Sequence, residues 1–333
     1  MTQPAIKTVA EETSNITVEN LTIDFSIGGG LFNREFLRAV SEVSFVLKSG
    51  EALAIVGESG SGKSTVARAL CRLYQPSEGR ISLDGQDVNR AEGASSQRDY
   101  AQLVQMIFQD PFGSLNPVHT IRHHLRRPTK IHNPHLSADE VEERVIEIIE
   151  RVGLSPARQT ADKFPYELSG GQRQRVAIAR ALAVGAKFIL ADEPISMLDV
   201  SIRLGILNLM DDMKHDGIGF MYITHDIATA RYFAERTAVM YVGHMVEWGN
   251  SDSVTQNPQH PYTQLLISAV PEAGRNKKKE LMAKKGDIPM RSPDSVGCPF
   301  AARCLKATDR CHAEMPETTQ LADDHFVRCF LYE

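Results

Sequence analysis

The sequence predicts an α/β protein whose core is a parallel β-sheet. Three short apolar runs carry this prediction, at residues 52–56, 188–191 and 220–223. Each run is brief and bounded by polar residues or glycine, which is the pattern of a strand buried on both faces. Between the last two runs lie apolar residues that recur at helical spacing: Ile202, Ile206, Leu209, Met210 and Met213. Strand, helix and strand in this order predict a parallel βαβ unit.

Composition narrows the class of protein further. The chain has 333 residues and 42% hydrophobic content, which is enough for about two domains of ordinary size. Its 37 basic and 42 acidic residues give a formal charge of −5, so no nucleic-acid partner is predicted. No apolar signal core and no unbroken apolar run of about 18 residues occurs, so neither a secretory signal nor a membrane span is expected. The chain is therefore expected inside the cell.

The N-terminal part predicts a tail followed by antiparallel strands. Residues 1–15 are polar and aperiodic, and we expect a flexible tail. Ordered structure is expected from Ile16, in a strand that the glycines at 28–30 break, with a second β-rich stretch at 40–47. The stretch 86–99 is polar and is predicted to be an exposed connection.

Later segments predict helices and then a change of composition. A helix is expected over 63–73, and Ser137 with Glu140 forms a capping-box pattern before apolar residues at helical spacing. After Asn250 the chain becomes rich in proline, lysine and cysteine. We therefore expect a main domain at 16–250 and a smaller unit at 251–333.

The strand at 52–56 runs into a glycine-rich segment that matches the phosphate-binding loop: Gly57, Glu58, Ser59, Gly60, Ser61, Gly62, Lys63, Ser64 and Thr65. Glycines let successive backbone N–H groups face one anion, and the start of the following helix adds positive charge. Lys63 is expected to reach the β and γ phosphates, and the Ser64 hydroxyl to bind Mg²⁺. The segment thus predicts a site for ATP and Mg²⁺.

Two adjacent carboxylates follow the strand at 188–191. Asp192 is expected to face Mg²⁺ through water, and Glu193 to polarise the water that attacks ATP. An acidic pair after a strand can also be no more than the start of a loop. The phosphate-binding segment elsewhere in the chain favours the functional interpretation.

A further segment, Leu168–Gln172, resembles the signature motif of the ATP-binding-cassette (ABC) superfamily. The residues concerned form a second anion cradle at a helix start, one too distant along the chain to serve the same phosphate: Ser169, Gly170, Gly171 and Gln172. The resemblance implies that they bind the γ phosphate of ATP held by an opposing subunit. Each closed site then needs two chains, either two copies of this one or this one with a related ATPase.

Other motifs occur in the order that the family has them. Gln109 resembles the Q-loop residue, 196–199 the D-loop, and His225 the H-loop residue. The resemblance implies that Gln109 offers an oxygen to Mg²⁺ and water, and that His225 donates to the γ phosphate. By itself, a histidine after a strand is more often structural. Adenine is expected to stack on Phe25, with Phe36 as the alternative, and either ring could instead belong to the core.

The resemblance implies an α/β P-loop NTPase fold of the ABC ATPase type. It would carry an antiparallel β subdomain, a helical subdomain at about 111–182 and a small cysteine-containing C-terminal extension. With Glu193, Ser169 and His225 all present, the chain is expected to hydrolyse ATP.

Six phrases carry a narrower resemblance, to the dipeptide/oligopeptide permease ATPases: 105–111, 114–117, 260–266, 270–271, 297–300 and 303–304. The insertion at 30–32 resembles the second ATPase of the pair found in that branch. This resemblance implies import of di- or oligopeptides with two transmembrane permease subunits and an extracellular or periplasmic binding protein. The ATPase would lie on the cytoplasmic side of the membrane.

Two alternatives remain open at this stage. Close relatives move nickel or oligosaccharides, so the solute could be one of these. A soluble ABC ATPase acting on ribosomes or DNA shares the fold. Such proteins usually carry two cassettes or a long coiled-coil insertion, and this chain has neither.

Four of the five cysteines lie near the end of the chain: Cys298, Cys304, Cys311 and Cys329. Their C-x5-C-x6-C-x17-C spacing fits neither the short zinc pairs nor the common ferredoxin pattern. Soft thiolates suit iron–sulfur clusters and zinc alike, and His312 would be a further zinc ligand. Resemblance to the permease ATPases implies a [4Fe–4S] cluster, with zinc or unliganded thiols as alternatives. Cys71 is expected to be a buried bystander.

Overall fold

The computed structural model describes residues 13–30, 33–89, 94–269, 283 and 289–333. Its strands are β1 (Asn15–Gly30), β2 (Asn33–Lys48), β3 (Ala52–Val56), β4 (Glu78–Leu83), β5 (Gln86–Asp87), β6 (Val104–Ile107), β7 (Phe188–Asp192), β8 (Gly219–Thr224), β9 (Arg236–Tyr241), β10 (His244–Asn250), β11 (Thr319–Ala322) and β12 (His325–Val327). Its α-helices are α1 (Lys63–Leu70), α2 (Ala94–Leu103), α3 (Pro111–Ser114), α4 (Ile121–His132), α5 (Ala138–Arg151), α6 (Ala157–Ala161), α7 (Gly170–Val184), α8 (Val200–His215), α9 (Ile227–Phe233), α10 (Ser251–Gln256), α11 (Pro261–Ser268) and α12 (Asp309–Ala313).

The larger sheet has the strand order β11-β12-β10-β9-β3-β8-β7-β6. Strands β6 to β9 pair with β3 and one another in parallel, and β7 and β8 flank α8 as the predicted βαβ unit requires. Every residue of β3 is buried, because Leu53 and Ile55 pack into one core cluster and Ala52, Ala54 and Val56 into the other. Both faces of the sheet are therefore covered, which explains the continuous apolar runs in its sequence.

The smaller sheet is antiparallel, with the order β2-β1-β4-β5. The predicted antiparallel pair is confirmed, but the predicted break at the glycines is wrong. Strand β1 continues through Gly30, and Gly28 pairs with Glu35 across the hairpin. Backbone hydrogen bonds to β2 hold these residues extended, although glycine is a weak strand former.

Two N-terminal predictions fall partly outside the described residues. Of the predicted tail, residues 1–12 lie outside them, whereas the Ser14 N–H donates to Ser49 Oγ at 3.1 Å and Asn15 opens β1. Ordered structure thus begins slightly before Ile16. Of the insertion at 30–32, the last two residues also lie outside the described part.

Helices α3 to α7 form a layer over residues 111–184, where the helical subdomain is expected. The capping box before α5 is confirmed, since the Glu140 N–H donates to Ser137 Oγ and the Ser137 N–H to Glu140 Oε2. The expected connection at 86–99 instead contains the start of α2. Tyr100 anchors this helix because its buried hydroxyl donates to the Leu70 carbonyl at 2.6 Å.

The segment 251–333, here called the C-terminal extension, is built onto the larger sheet. Strand β12 pairs antiparallel with β10, so the extension provides the edge of that sheet. Glu247, fully buried on β10, accepts the N–H groups of Gln259 and His260 at 2.8 Å and contacts His325 Nε2 at 2.7 Å. Among the helices in the described ranges, none has the length and apolar character needed to cross a membrane.

Candidate functional site

The glycine-rich loop lies between β3 and α1, at the carboxyl end of the parallel strands. Gly62 is the N-cap residue of α1 and has φ of +98°, a conformation that side chains disfavour. A Cβ at Gly62 would also lie 2.5 Å from the Ala39 carbonyl oxygen, and one at Gly57 would lie 2.2 Å from that of Met240. Only glycine fits at these two positions, so the loop can curl against the neighbouring backbone.

Lys63 is buried within this loop and bonded to it. Its Nζ donates to the carbonyls of Gly57 and Glu58, both at 2.8 Å, and to Ser61 Oγ at 3.3 Å. Burial lowers the pKa of Lys63, and nearby carboxylates oppose this shift. The loop thus holds the ammonium group in place beside its own backbone.

Ser64 and Asp192 meet beside the loop, although 128 positions separate them in the chain. The Ser64 hydroxyl donates to Asp192 Oδ1 at 2.9 Å. Burial raises the pKa of Asp192, and the hydrogen bond from Ser64 opposes that change. A hydroxyl beside a carboxylate is the type of oxygen donor set that Mg²⁺ prefers, so these residues fit the expected ion.

Glu193 is held between the two other polar residues predicted for the site. Gln109 Nε2 donates to Glu193 Oε2 at 3.0 Å, and His225 Nδ1 lies 3.2 Å from Glu193 Oε1. Glu193 has φ of +47°, which is uncommon for a residue with a side chain and is found where structure constrains the backbone. Its N–H donates to the Ile223 carbonyl at 2.9 Å, which fixes the strained residue to β8.

The nucleotide cavity is the space of about 530 Å³ in front of the loop, and the residues 59–65, Gln109 and Glu193 line it. Phe25 lies in its wall and packs edge-on against Tyr74 at 5.1 Å, whereas Phe36 is 40% exposed and not part of the lining. Gly57 and Glu58 do not line the cavity but stand behind it. Eight further lining residues were not indicated by the sequence: Leu37 to Ala39 of β2, Val242, Gly243, and Pro289 to Arg291 of the C-terminal extension.

The signature segment lies elsewhere. Ser169 caps α7 in a capping box with Gln172, since each backbone N–H donates to the other's side chain. Neither these residues nor Gly170 and Gly171 are among those that line the nucleotide cavity. The structure therefore brings together the phosphate loop, Asp192, Glu193, Gln109 and His225, whereas the signature residues are not part of the nucleotide cavity.

The four C-terminal cysteines line one further space, here called the cysteine cavity, of about 200 Å³. Each sulfur accepts a backbone N–H: Cys298 from Phe300, Cys304 from Lys306, Cys311 from Thr308 and Cys329 from Leu331. Burial raises the pKa of Cys298 to about 12, and the other three thiols add to the effect. Burial also raises the pKa of Cys71 to about 12, and this residue packs against the core, away from the cavity.

Two observations bear on what the cysteine cavity can hold. Backbone N–H groups directed at sulfur are typical of the environment that stabilises thiolate ligands. Over the described part of the chain, however, no group of three or more His, Cys, Asp or Glu side chains could hold a metal ion. His312, the other residue suggested as a zinc ligand, is not in the lining.

Sequence reasoning missed two contacts made by the C-terminal extension. Arg303 pairs with Glu58 of the phosphate loop across 245 positions, and the Tyr262 hydroxyl accepts the Glu58 N–H across 204. Tyr262 and Arg303 lie in segments that resemble the permease ATPases, but that resemblance does not indicate a contact with the loop, and the fold alone brings them to Glu58.

Fold and site together define a nucleotide-hydrolysing cassette, and comparison with known families agrees. Residues 40–196 match the ABC transporter family, and residues 246–311 match the C-terminal region of oligopeptide/dipeptide transporters. Among solved structures, a dimeric ATP-binding cassette, MJ0796, bound to ADP and Pi, is 31% identical with a TM-score of 0.63. That match covers 71% of this chain and 98% of the other. The protein is an ATPase of the ABC type.

Curated relatives identify the branch. AppF of Bacillus subtilis, an oligopeptide transport ATP-binding protein, is 41% identical over 98% of this chain and 99% of its own. OppF of Haemophilus influenzae, also an oligopeptide transport ATP-binding protein, is 42% identical over 94% and 96%. DppF of the same organism, a dipeptide transport ATP-binding protein, is 38% identical over 97% and 98%. This chain belongs to the family of oligopeptide and dipeptide ABC transport ATP-binding proteins.

Proposed function

We propose that this chain is the ATP-hydrolysing subunit of a binding-protein-dependent ABC importer that takes up di- or oligopeptides. The observation that carries the proposal is the succession of two matches in one chain, the ABC transporter region and the oligopeptide/dipeptide C-terminal region. Relatives that match over nearly the full length are transport ATP-binding proteins for oligopeptides and dipeptides. The solute is inferred from these relatives, because an ATPase subunit bound to membrane permease subunits would not itself contact the solute.

In the proposed mechanism, the residues of the nucleotide cavity divide three tasks. The backbone of 59–65 and Lys63 would bind the phosphates, and Ser64, Gln109 and Asp192 would hold Mg²⁺, which when bound would neutralise charge on the phosphate oxygens. Glu193 orients and polarises the attacking water. Phe25 offers its ring to the adenine.

Two further contacts would complete the reaction site. His225, beside Glu193, donates to the γ phosphate and holds the carboxylate in line. The signature residues Ser169 to Gln172 serve the ATP of an opposing subunit, a proposal that their position outside the nucleotide cavity supports. Closure of two chains around ATP would thus precede hydrolysis.

Replacement of Glu193 by Gln tests this mechanism. The amide keeps the size of the side chain but cannot take up a proton, so the ATPase rate should fall by about 10²- to 10⁴-fold. The ATP-bound dimer should then accumulate, as size-exclusion chromatography with ATP would show. Glu150→Gln, an exposed change on α5, is the matched control. A normal rate in the Glu193 variant would contradict the assignment.

The proposed partners are two transmembrane permease subunits, an extracellular or periplasmic binding protein, and a second ATPase that is either related or identical. The chain would then lie peripherally on the cytoplasmic face of the membrane. Purification from detergent extracts should recover it with two hydrophobic subunits. Recovery with ribosomes or DNA would instead favour a soluble ABC ATPase, and a binding protein that takes only nickel or oligosaccharides would replace the peptide assignment.

We further propose that Cys298, Cys304, Cys311 and Cys329 hold a [4Fe–4S] cluster. All four line one cavity, and each sulfur accepts a backbone N–H. The four thiolates would supply the all-cysteine ligand set that a [4Fe–4S] cluster takes. Anaerobically purified protein should contain about four irons and absorb visible light, and stoichiometric zinc in colourless protein would defeat the proposal.

A further inference from the structure

Glu58 of the phosphate loop is held at every polar group it has. Its N–H donates to the Tyr262 hydroxyl at 2.8 Å, and its carbonyl accepts Lys63 Nζ at 2.8 Å. Its two carboxylate oxygens accept from Arg303 Nη1 at 2.8 Å and Nη2 at 3.2 Å. Tyr262 and Arg303 both belong to the C-terminal extension. Two residues from outside the ABC core therefore bind the phosphate loop at Glu58, a residue that does not line the nucleotide cavity.

Aromatic packing restrains the contacts that Tyr262 and Arg303 make with Glu58. Tyr262 is fully buried, and its ring lies 4.5 Å from that of Tyr241 and 5.4 Å from that of Phe300. The Arg303 guanidinium sits 5.7 Å from the centres of both the Tyr241 and Phe300 rings, and its side chain is only 14% exposed. A two-pronged arginine–carboxylate pair sheltered in this way is stronger than an exposed ion pair. The position of the loop thus depends on the extension.

The extension reaches the nucleotide cavity at a second place. The Arg291 carbonyl accepts the Arg38 N–H at 2.8 Å, which ties residues 289–291 to β2 in the cavity wall. Arg291 Nη2 in turn donates to the carbonyls of 295–297, just before Cys298. One continuous stretch, from the cavity wall to Arg303, therefore contacts both sides of the ATP site.

The same stretch carries two of the four cysteines. Arg303 directly precedes Cys304, and the Phe300 N–H donates to the Cys298 sulfur. Backbone hydrogen bonds from Arg303 and Cys304 to the Phe300 carbonyl, both at 3.0 Å, close a tight turn between these groups. A packed turn of this kind moves as a unit, so a displacement at Cys304 is transmitted to Arg303.

We propose that Arg303 and Tyr262 are positioning residues for ATP. We also propose that they couple the affinity for ATP to the arrangement and reactivity of the four cysteines in the cysteine cavity. The inference rests on the proposed ATP site at the phosphate loop. A loop already fixed in shape binds phosphate without the cost of ordering it. By thermodynamic reciprocity, ATP must change the free energy of the cysteine cavity by the amount that the cavity changes ATP binding.

The first test measures the dissociation constant for ATP and the ATPase rate at saturating ATP, in the full chain. Arg303→Gln should weaken ATP binding about 5- to 10-fold, while the saturated rate changes little because Glu193 is untouched. Arg303→Lys should restore part of the affinity, since an ammonium keeps the charge but not the two-pronged geometry. Arg236→Gln is the matched control: it removes another arginine–carboxylate pair between core and extension, with Asp324, far from the loop.

The outcomes separate this inference from the proposed function. If Lys63→Ala abolishes ATP binding but Arg303→Gln leaves it unchanged, the ATP site stands and the positioning role is overturned. An equal loss in Arg236→Gln would likewise overturn it, because general loosening of the extension would then be the cause. If Lys63→Ala also binds ATP normally, the proposed ATP site itself fails. Arg303→Gln added to Glu58→Gln should have no further effect, and an additive loss would contradict the contact.

The second test measures coupling from the cysteine side. The rate at which a maleimide modifies the cysteines of the full chain is followed by mass spectrometry, with and without ATP. ATP should slow the modification of Cys304 in the unaltered protein, and Arg303→Gln should remove this protection. Equal rates with and without ATP in the unaltered protein would overturn the coupling.

Discussion

The nucleotide cavity and the cysteine cavity are built in opposite ways. The first is a cleft of about 530 Å³, and one unbroken segment, 59–65, supplies much of its wall. The second is a smaller space of about 200 Å³ whose four thiols come from a turn, a short helix and the last residues of the chain. The function of a contiguous motif can be predicted from the sequence, whereas a site assembled from separate segments can be recognised only from the fold. Arg303, which directly precedes Cys304, pairs with Glu58 of the phosphate loop.

The largest expected effect is a loss of ATPase activity that leaves the cysteine cavity unchanged. Lys63→Ala removes the ammonium group that the loop holds, so the ATPase rate should fall by about 100-fold or more. Cysteine reactivity in the absence of ATP and the iron content of the proposed cluster should stay unchanged, because the hydrogen bonds of Lys63 are to Gly57, Glu58 and Ser61 of its own loop. Lys187→Ala, an exposed change, is the control. Loss of iron in the Lys63 variant would mean that the cavities are not separable.

The next effect concerns the aromatic packing between the cavities. Phe300 is 1% exposed and packs edge-on against Tyr241 at 5.3 Å. Phe300→Ala should lower the free energy of unfolding by about 3–5 kcal/mol, as large-to-small changes in cores do. Chemical denaturation would measure this loss. Leu305→Ala, at a side chain 55% exposed, should change stability by less than about 0.5 kcal/mol. Similar losses in both variants would show that Phe300 is not the centre of this packing.

A smaller expected effect is a pH dependence of the free energy of unfolding. It arises from His244, which directly follows the cavity-lining residue Gly243. Burial, with repulsion from Arg291, Arg328 and Arg38, lowers the pKa of His244 to about 3. Between this value and the ordinary pKa of about 6.5, the unfolded chain binds a proton that the folded chain does not. Stability conferred by neutral His244 is therefore complete above pH 6.5 and is lost as the pH falls toward 3.

His244→Gln should remove this contribution. The slope of the unfolding free energy between pH 4 and 6 should decrease by about 1.4 kcal/mol per pH unit. Urea denaturation at several pH values measures the slope, and His215→Gln, at an exposed histidine on α8, provides the control. An unchanged slope in the His244 variant would show that this histidine does not resist protonation.

The smallest effect lies remote from both cavities. Ser137→Ala removes the side chain that caps α5, so stability should fall by about 1 kcal/mol. ATP affinity and cysteine reactivity should not change. A change in either would mean that the helical layer is coupled to the sites more tightly than the contacts of α5 indicate.

Sequence reasoning succeeded where function and local structure coincide. The loop at 57–65 follows a strand and opens a helix, and Asp192 ends a strand, so each could be placed from its neighbours alone. It was less accurate where tertiary contacts decide. Helix α2 depends on the contact of Tyr100 with Leu70, and the glycines of β1 depend on pairing with β2.

Long-range contacts explain the remaining gaps. Gly57 and Glu58 belong to the loop motif, yet they stand behind the nucleotide cavity, where Glu58 meets Arg303. Phe25 could be named from its position in the first strand, but its place in the cavity wall follows from the twist and pairing of β1. No sequence motif marks residues 289–291, because their place in the wall depends on a tertiary contact, the hydrogen bond from the Arg38 N–H to the Arg291 carbonyl.

The strand order of the larger sheet has a consequence for synthesis on the ribosome. Strand β3 leads into the phosphate loop early in the chain, but its two neighbours, β8 and β9, end only at Thr224 and Tyr241. Arg303 emerges later still. At about 5–20 residues per second, the loop waits roughly 10 to 50 seconds for its last contact. The segment of the protein that is easiest to recognise is thus one of the last to become complete.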